Sequence, residues 1–540
     1  MAAAAGHDLA IESTELPPID GGTAGSSDAG PGQEPAPADV DSWLGLPLAT
    51  VERVTATMPR TLDSPMLAAL WRQLLKGGRA GNQAALAFRA QRLIEAGWVA
   101  DAAQLLSATE HADPLTDLLE AQANLAIGDG AGACPILKRI PTTEAVRLGK
   151  ARRADYVAMA AYCAALSRDQ TQAALAAEIM RETGADRPIA LAVLDQLSGG
   201  STPSLPTAGG ADLIDMRFIS LIRPVGPSGL GERPQPDLAA AYAADATLDA
   251  EDHAAAIEQA FAAHLVQGPA LADAYRAIEI DASLKQNPLA QDADGTLRRA
   301  VLFQAAFDER AMLRKARYIR ASLDEMSREG LGHLAAGLLA DAVTELPQVG
   351  EIGWFAPTAV EILVAAGRTD AAAEWIRRDA ELDPLGNRLG LGHWLLLSRI
   401  AGSSKTETDI PRVMGELERA VRAGVFPPDL LQRLVTVLDA LEYAIPIPVW
   451  DAAGKDGQSD LGQLPETGLL TELQEATKAL DRPRVVLLTV LALAKGGPGG
   501  AHQLALGDSI RALKRVGMER EARQLAFEAL YPAWPRRAGG

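Results

Sequence analysis

Residues 86–114 read LAFRAQRLIEAGWVADAAQLLSATEHADP, and Gly97 divides them into two halves of the same periodicity. Before the glycine, Leu86, Leu93 and Ile94 recur at helical spacing. After it, Val99, Ala102, Ala103 and Leu106 do the same, so two apolar stripes face each other across a tight turn. Such a turn needs a residue that ends the first helix in the left-handed region, which costs a side chain with a Cβ but not glycine. The stretch therefore predicts a pair of antiparallel helices, and further pairs are sought by the same spacing.

Leu93, Gly97, Ala102, Leu106 and Pro114 have a full counterpart in Leu363, Gly367, Ala372, Ile376 and Pro384, within LVAAGRTDAAAEWIRRDAELDP. Leu513, Gly517 and Ala522 repeat the first three positions, after which Ala526 and Trp534 depart from the pattern. A weaker copy carries Gly337, Ala342 and Leu346, with His333 in place of the leucine. This pattern resembles the tetratricopeptide (TPR) repeat, a helical unit of about 34 residues. Leu93 stands at the packed position of its first helix, Gly97 in the turn, Ala102 where the helices approach, Leu106 one turn on and Pro114 at the end. Only the pairs at Gly337 and Gly367 lie one repeat apart, and the tryptophan and tyrosine positions of the family's first helix are not filled. The resemblance implies an all-α fold of stacked antiparallel helical hairpins, an α-solenoid or α-α superhelix. It also implies a non-catalytic adaptor whose concave face holds a peptide or helix of a partner protein.

The 540 residues exceed the size at which one core keeps growing, so several packed units are expected. Apolar residues make up 48% of the chain and aromatics only 4%, which favours alanine-rich helices at close range over a sheet. With 51 basic against 70 acidic residues the net charge is −19, which repels phosphate backbones and anionic membranes and disfavours general nucleic-acid binding. Cys134 and Cys163 are the only cysteines, too few for a disulfide framework, and are expected as buried thiols. Acids stand where a secretory signal would carry lysine or arginine, so a cytoplasmic location is expected. The longest apolar run, Val485 to Ala494, is about half the length a membrane span requires and reads as one buried helix opened by Asp481 and Pro483.

Composition shifts divide the chain. Residues 1–40 are Gly, Pro, Ala, Ser and acid, and are expected as a disordered tail. Trp43 and Leu44 follow directly, either as a short docking peptide or tucked onto the first hairpin. An N-terminal helical domain is expected over 41–197, a linker with one short helix over 198–236, a central helical domain over 237–444, a long loop over 445–468 and C-terminal helices over 469–540. Within that loop Trp450 is expected to anchor into the neighbouring core. Gly496 to Gly500 reads as a hinge rather than a phosphate loop, because no Gly-Lys-Ser/Thr follows.

Thr296 to Arg328 contains no glycine or proline and predicts one helix of about 33 residues, with Met312, Ala316, Ile319, Leu323 and Met326 as a coiled-coil-like seam. Arg310, Arg314 and Arg317 share its opposite face, with Arg298, Arg299, Lys315 and Arg320 nearby. This positive stripe is either a solvated face paired with Asp308, Glu309, Asp324 and Glu325 or a docking site for an acidic partner segment. Arg310, Arg314, Arg317, Trp43 and Leu44 are accordingly the candidate partner-binding residues.

No catalytic, cofactor or metal set emerges. The seven histidines form no helical metal motif and are expected as surface or capped residues, and no Gly-x-Ser-x-Gly elbow occurs. Helical toroids that act on polysaccharides share this secondary structure, but their sugar platforms need aromatic faces that are scarce here. A structural subunit of a larger assembly is the third class, with the 296–328 helix as its contact seam.

Overall fold

A computed structural model describes residues 42–536 except 78–81, 111–112, 167–168, 186, 200–210, 223–234, 291–292, 294, 383–389, 403–409 and 456–461. The tail expected over 1–40 lies outside the described residues. The described part is all-helical apart from a two-residue antiparallel pairing of β1, Ser42–Trp43, with β2, Leu46–Pro47, and one isolated parallel bridge between Gln463 and Ala501.

Helix formation begins at α1, Leu48–Thr55, and α2, Pro65–Lys76, which Ser64 caps by accepting from Leu67 N at 3.1 Å. The quoted stretch forms α3, Gln83–Glu95, and α4, Val99–Ser107. Gly97 adopts φ +82°, and the backbone bonds Gly97 N to Ile94 O and Trp98 N to Leu93 O, both 2.9 Å, close the turn. Leu93, Ala102 and Leu106 are fully buried. A Cβ at Gly97 would also stand 2.6 Å from the Pro236 carbonyl oxygen, so the turn needs glycine for close approach as well as for conformation.

The same device recurs. α5, Pro114–Ala126, turns at Gly128 into α6, Gly130–Leu137. Then come α7, Thr142–Ala145, α8, Lys150–Leu166, α9, Gln170–Thr183, α10, Pro188–Leu197, and α11, Leu213–Ser220. α12, Pro236–Ala243, leads to α13, Ala250–Ala262, α14, Gly268–Ala277, and α15, Ala282–Gln286. The short helix expected inside a linker is built into the core: Phe218 is fully buried and meets Tyr162 edge-on at 5.6 Å, and Arg217 donates to the Leu125 and Ala126 carbonyls.

The expected 296–328 helix is two helices, α16, Gly295–Asp308, and α17, Met312–Arg328, packed on each other. The break needs neither glycine nor proline because the Glu309 side chain accepts from the backbone N–H of Arg310 at 2.8 Å and of Ala311 at 2.7 Å. Ala316, Ile319, Leu323 and Met326 form the buried seam of the pair. Of the flanking cations, Arg299 is buried on Glu258 at 2.5 Å and Lys315 on Glu345 at 2.5 Å.

α18, Gly332–Ala335, continues through a 3-10 turn into α19, Ala340–Thr344. The weaker copy is thus no turn: Gly337 sits inside a helical segment that crosses the backbone of Ala365 and Ala366. α20, Ala356–Ala365, and α21, Thr369–Leu382, form the second full pair around Gly367, with Leu363 and Ala372 buried; Pro384 lies outside the described residues.

α22, His393–Ile400, α23, Ile410–Arg422, and α24, Pro428–Ala440, follow. α25, Ile447–Lys455, occupies the expected loop, where Val449 is the buried anchor and Trp450 is 46% exposed. α26, Thr467–Lys478, precedes the buried α27, Arg482–Leu493, whose N-cap is Asp481. The expected hinge is a packed turn, α28, Gly497–Gly500, where a Cβ at Gly497 would stand 2.9 Å from the Asp63 carbonyl. α29, Gln503–Arg515, and α30, Glu519–Leu530, end the chain, and Trp534 packs against Phe426 at 5.1 Å, which accounts for tryptophan at the expected proline position.

Two closures fix the architecture. α12 packs back on α3 and α5, and α2 packs on α27 and α30, near the far end of the chain. One large apolar core consequently contains residues from both sides of the expected 198–236 boundary. A second core serves α5 to α11.

Candidate functional site

The first closure encloses a cleft of ≈170 Å³. α3 contributes Gln91, Ile94 and Glu95, and α5 contributes Leu119 and Gln122; these spacings of three and four put the residues on one helix face. α8 supplies Arg152 and Asp155 at the same spacing, while Asp212 and Asp237 come from the starts of α11 and α12. Arg60, from the turn before α2, reaches across to donate to the Gln235 side chain.

Arg187 organises the acidic wall, donating to Asp155 at 2.5 Å and Asp212 at 2.6 Å. Asp212 in turn caps α11 by accepting from Asp215 N at 3.0 Å. Burial, reinforced by the neighbouring Asp212 charge, pushes the Asp215 carboxyl up to about 6. Burial raises Asp237 likewise, and its Oδ1 is enclosed without a hydrogen-bond partner among the described residues. Glu95 is occupied by Gln91 at 2.7 Å and Arg92 at 3.0 Å. Among the described residues the Arg152 guanidinium and the Gln122 amide make no hydrogen bond or ion pair. The cleft thus offers a cation, an amide and a carboxyl oxygen from three different helices.

Among the described residues the cleft lining contains no aromatic, histidine, serine or cysteine. Among the described residues no group of three or more His, Cys, Asp or Glu is placed to hold a metal ion. His393 is buried rather than at the surface and pairs with the Pro535 carbonyl at 2.8 Å.

The sequence-derived candidates lie elsewhere. Arg314 and Arg317 are exposed on α17 and Arg310 in the break before it. Arg314 pairs with Glu309 at 3.0 Å and Arg320 with Asp324 at 3.7 Å, whereas Arg310 and Arg317 have no ion pair among the described residues. Leu44 is half-buried against the main core, and Trp43 pairs through its backbone with Leu46. The stripe and the cleft share no residue. The cleft residues escaped sequence reading because they are scattered from 60 to 237, and only the polar pairs at helical spacing, Gln91 with Glu95 and Arg152 with Asp155, marked them.

Cys134 and Cys163 correct another expectation. They are joined in a disulfide between α6 and α8, with Cα atoms 5.7 Å apart. They lie 29 positions apart in sequence, so only the packing of the two helices reveals the pair.

The chain matches no family model, no curated protein and no solved structure.

Proposed function

We propose that the protein is a non-catalytic adaptor, a degenerate TPR-like array that holds an extended peptide of a partner protein in the cleft between α3, α5, α8, α11 and α12. The observation that carries this reading is the convergence of Arg152, Gln122 and the enclosed Asp237 oxygen. A peptide backbone presents carbonyl acceptors and N–H donors in alternation, and so satisfies all three at once. The polysaccharide-acting alternative is weaker, because among the described residues the lining has carboxylates but no aromatic face for a sugar ring. The disulfide favours an oxidising compartment over the cytoplasmic location expected from the N-terminus. Among the described residues no helix is long and apolar enough to cross a membrane.

Selection of a random peptide library on the full chain, followed by calorimetry of the enriched sequences, tests the reading. Enriched peptides should bind at least tenfold more weakly to an R152E/Q122A variant whose melting temperature is unchanged. Equal binding to the variant, or release of sugar from a polysaccharide panel, would replace it.

A further inference from the structure

The charges of the cleft are unevenly partnered. Among the described residues its lining carries four carboxylates, Glu95, Asp155, Asp212 and Asp237, against two guanidinium groups, Arg60 and Arg152. Three of the four carboxylates are answered from within the fold. Glu95 accepts from Gln91 and Arg92, and Asp155 and Asp212 share Arg187, which does not itself line the cleft. Asp237 is the exception. Its Oδ1 is enclosed and accepts no hydrogen bond, and the carboxylate has no ion pair among the described residues.

The position of Asp237 explains why an acid stands there but not why its oxygen is bare. It is the second residue of α12, where the helix N-terminus favours negative charge and the Leu238 N–H helps to hold it. Arg60 acts on it only at a distance, because the Arg60 hydrogen bond goes to the Gln235 side chain. Arg152 makes no ion pair with it either. An enclosed carboxylate is unfavourable unless it is both paired and hydrogen-bonded, and the fold supplies neither at Oδ1.

We infer that Asp237 receives a protonated amine of the bound peptide, either its N-terminal ammonium or a lysine side chain. This rests on the adaptor reading of the cleft and names the chemistry that the partner must carry. A neutral backbone N–H would give Oδ1 a donor and leave the charge unanswered. An ammonium supplies both at once, through a charge-assisted hydrogen bond. It also suits the site better than a guanidinium, whose planar fork matches two carboxylate oxygens, whereas the enclosed acceptor here is a single oxygen. Asp155 and Asp212 add negative charge to the same lining, and Arg152 and the Gln122 amide remain for carbonyl oxygens of the same peptide.

The experiment uses the full chain and a peptide enriched on it from a random library with free N-termini. The peptide is synthesised unmodified, Nα-acetylated, with each lysine replaced by norleucine, and with both changes, and every form is titrated by calorimetry. The doubly blocked form should bind at least tenfold more weakly than the unmodified one, and the single change that reproduces the loss identifies which amine is held. Asp237→Asn keeps the shape of the side chain without its charge and should bind all four forms alike. Equal binding of the unmodified and doubly blocked forms by the parent protein, with the R152E/Q122A loss retained, would overturn the inference and leave the adaptor reading standing. Discrimination that persists in folded D237N would overturn it as well, by placing the amine on another carboxylate. Failure to enrich any peptide, or undiminished binding to R152E/Q122A, would overturn both. The four titrations of the parent protein decide the question even if D237N does not fold.

Discussion

Ser64, the N-cap of α2, donates its hydroxyl to Glu528 of α30, and the same carboxylate accepts from Met66 N at 3.2 Å. The two residues are 464 positions apart, and their contact joins the first long helix to the last. A carboxylate at this place also meets the positive end of the α2 dipole, which helps hold a group whose pKa burial raises.

Glu528→Ala leaves the buried Ser64 hydroxyl without its acceptor and should cost about 1 to 3 kcal/mol in urea unfolding. Glu528→Gln keeps an acceptor oxygen and should cost less. Equal stability of all three proteins would show that the clasp contributes nothing.

The α3–α4 pair is tested from both directions. Ala102→Leu forces volume into a fully buried helix crossing and should destabilise by about 1 to 3 kcal/mol, while Leu106→Ala should cost about 2 to 5 kcal/mol. Thermal melts that neither substitution moves would remove the pair.

Replacing both Cys134 and Cys163 by serine frees a closed loop of 29-residue separation. Chain entropy puts the loss at about 3 to 4 kcal/mol, and reduction of the parent protein should reproduce it. Identical unfolding with and without reductant would contradict the pairing.

Asp215 gives a pH signature. Its folded pKa, about 6, lies above that of an unfolded aspartate, so the native state binds the proton more tightly. The stability this provides is complete below about pH 4, declines as pH rises towards 6 and is absent above. Asp215→Asn does not titrate. Relative to the parent it should therefore be more favourable at pH 7 than at pH 4, by on the order of 2 kcal/mol. A difference independent of pH would mean that the carboxyl is not perturbed.

Leu480 occupies the left-handed region at φ +55° in the turn between α26 and α27, and is 59% exposed. Leu480→Gly relieves a backbone cost of about 1 to 2 kcal/mol at the expense of little packing, and should raise the melting temperature. A lower one would place the side chain in an unrecognised contact.

These turns explain what the sequence could and could not reveal. Pairs closed by Gly97, Gly367 and Gly517 were legible because glycine marks the left-handed residue. The turns at His264, Glu442 and Leu480 adopt the same conformation and close with the same backbone bonds, yet nothing in their side chains announces it. The break at Glu309 was hidden for a related reason, since a glutamate inside an apolar repeat reads as surface until its side chain is seen to cap the backbone. Burial was more accessible: the periodicity of Leu363 and Ala372 or of Ile319 and Leu323 placed them inside. The cleft was not, because α12 reaches α3 and α5 only through a long-range return that no local pattern encodes.

Hydrogen exchange on the full chain, with and without a peptide enriched by selection, tests the central proposal most directly. Occupation of the cleft should slow exchange in α3, α5, α8 and the first turns of α11 and α12 together, and leave the outer face of α9 unchanged. Slowing confined to α17, α25 or any surface away from the Arg152 cleft would contradict it.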